Sequence, residues 1–68
     1  MKLGDLCRSQ QVTAFYVTYH KDAHDRHGEV YPSDILMYLG ESYERFAKVA
    51  ALSSGKSGWT LRSYLEAL

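Results

Sequence analysis

Cys7 is the only cysteine among 68 residues, so no disulfide within the chain can staple the fold. At this length a single hydrophobic core rarely supplies more than ~3–5 kcal/mol, and small natural domains usually add a disulfide, a metal or another subunit. The first is excluded by the cysteine count. The metal-ligand pattern is thin. His20 and His24 have the i,i+4 spacing of a helical metal pair, with Asp25 nearby. Two ligands on one element hold an ion weakly without a third from elsewhere, and the remaining histidine is His27 on the same segment. No metal and no cofactor are expected. Association with a partner, or with a second copy as a homodimer, is the expected source of added stability.

Eight Lys+Arg balance eight Asp+Glu, and 46% of residues are hydrophobic. That composition suits a globular domain and argues against disorder, which needs low hydrophobicity or high net charge. One domain over residues 1–68 is expected, because a domain usually takes roughly 100–150 residues. There is no apolar run of about 18 residues to cross a membrane. The opening Met1-Lys2-Leu3-Gly4-Asp5 lacks the apolar core of a secretion signal, so a cytoplasmic location is expected.

Apolar spacing predicts an all-α fold: a helical hairpin of two long helices plus a short C-terminal helix. Pro32-Ser33-Asp34 has the form of a helix start. Leu36, Leu39, Tyr43, Phe46 and Ala50 follow at alternating steps of three and four, a heptad-like seam for a core or a dimer. Glu41 with Arg45, and Glu44 with Lys48, have i,i+4 spacing with the acid first, the better order. A helix is expected over residues 33–53, with Gly40 as its flaw or its break. Leu61, Tyr64, Leu65 and Leu68 form one stripe of a helix near the C-terminus. Residues 5–27 form the other long helix, closed by Gly28 in the place of a C-terminal cap. The alternative is α+β, with residues 12–19 as a strand, because that stretch is rich in β-branched and aromatic residues.

Catalytic patterns are missing. There is no Gly-x-Ser-x-Gly elbow. Gly55-Lys56-Ser57 lacks the upstream glycine of a phosphate loop. The protein is expected not to be an enzyme. Residues 47–65 loosely resemble a helix-turn-helix, with Ala51, Gly55, Leu61 and Tyr64 at that motif's spacings. A small DNA-binding transcriptional regulator is thus the alternative function. Zero net charge disfavours it, since DNA affinity rests on several cations neutralising phosphates.

Protein binding is the favoured reading. Tyrosine supplies six of nine aromatics, and Tyr, Trp and Arg dominate the energetics of protein interfaces. Tyr16, Tyr19, Tyr38, Arg45 and Trp59 are the expected partner-binding residues. In size and composition the chain resembles small phage-encoded proteins that bind and disable host factors, such as anti-activators and anti-CRISPR proteins. The resemblance implies stoichiometric inhibition or modulation of a partner, for instance a transcription regulator, by occupying its surface. It assigns no residue roles.

Overall fold

The computed structural model describes residues 1–18 and 25–68. The described residues form strands, turns and one 3-10 turn, with no α-helix. The strands are β1 (Leu6–Ser9), β2 (Thr13–Tyr16), β3 (Arg26–Val30), β4 (Leu36–Tyr43), β5 (Phe46–Ala51), β6 (Ser57–Leu61) and β7 (Leu65–Ala67). The 3-10 turn, Arg62–Tyr64, lies between β6 and β7. All pairings are antiparallel, in the order β3-β2-β6-β5-β4-β1-β7.

Strands in a sheet lie about 4.8 Å apart, so in a flat sheet β2 and β1, four steps apart in this order, would be separated by roughly 19 Å. Instead Phe15 of β2 and Val30 of β3 share one buried cluster with Cys7 of β1 and Leu36 of β4. The sheet therefore curls into a partial barrel around that cluster. Small residues make the tight curl possible. Ala47, Ala51, Gly58, Ser9, Thr13 and Thr60 are all buried. The buried hydroxyls are satisfied locally: Thr60 Oγ1 donates to the Ala14 carbonyl at 3.0 Å and Ser9 Oγ to the Gln11 carbonyl at 2.5 Å.

Gly58 shows how closely the strands approach. A Cβ built there would lie 2.2 Å from the Tyr16 carbonyl oxygen, 3.0 Å from the Phe15 ring and 3.2 Å from the His27 ring. Only hydrogen fits between β6 and β2. The Phe15 and His27 rings are 5.0 Å apart, and His27 Nε2 donates to the Ser57 carbonyl at 2.9 Å. His27 is thus a bracket between β3 and β6. His20, His24 and Tyr19 lie outside the described residues.

Across the described residues the all-α expectation is overturned. Residues 33–53 form β4, a tight turn and β5, not a helix. Pro32-Ser33 occupies a turn in which the Asp34 N–H donates to the Tyr31 carbonyl at 2.9 Å, and the Asp34 carboxylate accepts from the Tyr31 N–H at 2.9 Å. Proline followed by a short polar residue and Asp signals a turn as readily as a helix start. Gly40 has φ +83°, which no helix permits, and Leu3 packs against it. Its position coincides with a break in the β4–β5 register.

The heptad seam does not exist as one surface. Leu36 is fully buried in the core, Leu39 is half-buried and Tyr43 is exposed. Phe46 and Ala50 are half-buried and alternate with the buried Ala47, Val49 and Ala51 of β5. Lys48 reaches across the hairpin to Glu41 at 3.3 Å.

The C-terminal stripe is divided between β6, the 3-10 turn and β7, with Leu65 against the core and Leu68 exposed. Ala51, Gly55, Leu61 and Tyr64 fall on β5, the turn after it, β6 and the 3-10 turn, so the helix-turn-helix reading falls too. The N-terminal long helix is replaced by β1 and β2. Its α+β alternative is also corrected, because Thr13–Tyr16 is one of seven strands among the described residues, which contain no α-helix.

Candidate binding face

Period-two alternation sends every second residue of β2, β5 and β6 to the core and the others to the outer surface. Most of these outer positions carry aromatic or apolar side chains. Tyr16 stands opposite Trp59, and Trp59 opposite Lys48, so these three form a row across β2, β6 and β5. Arg26 extends the row on β3, opposite Tyr16. Phe46 stands opposite Leu61 in the next row, and Tyr43 opposite Phe46. All the apolar members except Tyr43 are half-buried, and Tyr43 is 56% exposed.

The rings hold one another in place. Tyr16 and Phe46 meet edge to face, with centroids 5.8 Å apart and planes at 85°, the arrangement aromatic quadrupoles prefer. The Arg26 guanidinium lies over the Tyr16 ring at 5.4 Å, within the range of a cation–π contact. An open cleft of about 300 Å³ sits among Thr13, Ala14, Tyr16, Arg45, Phe46 and Leu61. Arg45 is the single charged residue in that lining. It belongs to the two-residue turn between Tyr43 and Phe46, where Glu44 takes a positive φ of 52°. The Arg45 carbonyl accepts from the Arg62 N–H at 2.8 Å, which ties the turn to the start of the 3-10 turn.

Of the partner-binding residues expected from sequence, Tyr16, Arg45 and Trp59 meet on this face. Tyr38 does not join them. Its register partner is the buried Val49, and its hydroxyl is 2.8 Å from Ser42 Oγ. Sequence reasoning missed Arg26, Leu61 and Lys48 and placed Phe46 in the seam. The available signal was alternation: in Phe46-Ala47-Lys48-Val49 and in Trp59-Thr60-Leu61, large outer residues flank small or β-branched inner ones.

Other chemistry-bearing groups are muted. Burial pushes the Cys7 thiol above its ordinary range, the Asp5 carboxylate pushes it further, and the N-terminal ammonium opposes them. A thiol held protonated is a poor nucleophile. Glu66 accepts from Arg8 Nε at 2.6 Å and from Gln10 Nε2 at 3.2 Å, and these bonds, together with the Arg8 charge, hold its carboxyl below the ordinary range. Among the described residues, no group of three His, Cys, Asp or Glu is placed to hold a metal, and no helix is long and apolar enough to cross a membrane. No family model, curated protein or solved structure matches the chain.

Proposed function

We propose that this is a small non-enzymatic protein that binds another protein through the aromatic outer face of β2, β6 and β5, and modulates it by occupying its surface. The observation carrying this reading is the row of Tyr16 and Trp59 beside Phe46 and Leu61, bordered by charges of both signs. An apolar, ring-rich centre with a mixed polar rim is the anatomy of a protein interface. Rings already packed against neighbours lose little freedom on binding, which lowers the cost of association.

A platform for single-stranded nucleic acid would need open ring faces and a cationic groove. Here Arg26 covers one side of Tyr16, Lys48 is paired with Glu41, and the formal charge of the chain is zero. These features favour a protein.

Affinity capture from the producing cell, with mass-spectrometric identification, tests the proposal. Wild type and Leu6→Ser, a change on the opposite half of the surface, are expected to retain the same protein. Phe46→Ser and Arg45→Glu are expected to lose it while keeping a β-type circular dichroism spectrum. Equal capture by all four proteins, or capture of nucleic acid alone, contradicts the proposal.

A further inference from the structure

The geometry points to a specific chemistry for the partner: an apolar side chain seated in the cleft beside Tyr16, Phe46 and Leu61, with an adjoining carboxylate paired to Arg45. This inference rests on reading the aromatic face as a protein-binding surface, and deepens it.

Three observations converge on it. A cleft of about 300 Å³ lies at the small end of ligand pockets, which span roughly 300–1,000 Å³. That is room for one side chain and not for a large cofactor. The lining is otherwise Ala14, Thr13, a leucine and two rings, which select an apolar group. The third observation concerns Arg45. Among the described residues no hydrogen bond or ion pair engages its guanidinium, whereas Arg8 is engaged by Glu66, Lys48 by Glu41 and Arg26 by the Tyr16 ring. A guanidinium presents a planar fork of donors that matches a carboxylate with two parallel hydrogen bonds. Charge complementarity therefore selects an anion at the mouth of the cleft. A carboxylate fits better than a phosphodiester chain, since the cleft lining supplies one cation and strands of phosphates call for several.

The carboxylate has two sources, an acidic side chain next to the apolar residue or a free C-terminus on it. Two-dimensional amide NMR of the full chain, titrated with short acetylated peptides, separates them. The probes are Ala-Asp-Leu amide, Ala-Ala-Leu free acid, and their uncharged counterparts Ala-Asn-Leu amide and Ala-Ala-Leu amide. Oligothymidylate serves as the nucleic-acid arm.

The expected result is that at least one carboxylate peptide shifts the Arg45, Phe46 and Leu61 amides and the Trp59 indole, and that its uncharged counterpart binds about tenfold more weakly. Which carboxylate peptide does so names the source. Arg45→Gln, in an exposed turn, is expected to abolish the difference within each pair, and Arg45→Lys to restore part of it. Equal binding of charged and uncharged peptides overturns the carboxylate assignment. So does a response to oligothymidylate alone, or silence from all probes. If Phe46→Ser still abolishes protein capture in those cases, the binding face stands and only its proposed chemistry falls.

Discussion

The outer surface has two halves that arise from the same strand alternation and expose different things. On β2, β6 and β5 it carries Tyr16, Trp59, Phe46 and Leu61, half-buried and fixed by ring-to-ring contact. On β7, β1 and β4 it carries Leu6, opposite the half-buried Met37, with Leu68 beside it. Leu6 and Leu68 are 41% and 63% exposed. The charges differ as well. Arg8 and Glu66 satisfy each other on the aliphatic half, with Gln10 completing the set. Arg45 on the aromatic half has no such match among the described residues. A surface that has closed its own polar accounts offers a partner only grease. A surface with rigid rings and an unmatched guanidinium offers shape, contact area and direction.

The largest effect is expected where the aromatic half is held to the rest. Gly58→Ala would drive a methyl group into the Tyr16 carbonyl. Backbone cannot swing aside as a side-chain tip does, so β6 must part from β2. The expected cost is about 3 kcal/mol or more, with the Trp59 environment lost first. Denaturant unfolding followed by Trp59 fluorescence measures it. An unchanged midpoint would mean that the two strands are not in such close contact.

Leu36→Ala removes a fully buried side chain at the centre of the curl. A loss of about 2–5 kcal/mol is expected. Both halves share that core, so both should weaken together. Tyrosine absorbance and Trp59 fluorescence should give one coincident transition. Two separate transitions would show that the halves fold independently.

Glu44→Gly acts in the opposite direction. A non-glycine residue at φ +52° carries strain of about 1 kcal/mol. Glycine removes it, so a stabilisation of up to about 1 kcal/mol is expected, with the Arg45 turn preserved. Thermal unfolding reads the gain. A loss instead would show that the contacts of the Glu44 side chain outweigh its backbone strain.

The smallest effect belongs to the aliphatic half. Glu66 lies on the edge strand β7, and its carboxyl is held below the ordinary range by Arg8 and Gln10. A depressed carboxyl adds stability that is fully present above its unfolded-state value and disappears as pH falls through the folded-state value. Glu66→Gln should therefore be slightly less stable than wild type at neutral pH, and the gap should close in acid. A gap that widens in acid would contradict the arrangement. Exposed pairs contribute little, so protein capture should be unaffected.

Part of this was legible from the residues alone. Tyr16, Arg45 and Trp59 were chosen because their chemistry suits interfaces whatever the secondary structure, and they meet on one face. The fold was misread because two periods coexist in the same letters. Leu36, Leu39, Tyr43, Phe46 and Ala50 satisfy a helical seam, while Phe46–Ala51 equally satisfies strict alternation. Isolated residues cannot decide between them. Hydrogen-bonded partners distant in the chain do, as in Tyr16 with Trp59 or Cys7 with Ala67. Gly40 and Gly58 were the strongest clues. Gly40, which reads as a flaw in a helix, marks a bend with positive φ, and Gly58 marks a point of strand contact. Tyr38 lies apart from Tyr16, Arg45 and Trp59, in register with Val49, and its type alone does not reveal which face of a strand it occupies.

The most direct test compares the two halves in one experiment. A photo-activatable phenylalanine analogue is placed at Tyr43, at the edge of the aromatic band, and in a second protein at Leu68 on the aliphatic half. Both sites are more than half exposed. Irradiation in the producing cell is expected to give a covalent adduct with a defined protein from position 43 and none from position 68. An adduct from position 68 alone would contradict the assignment of the binding face.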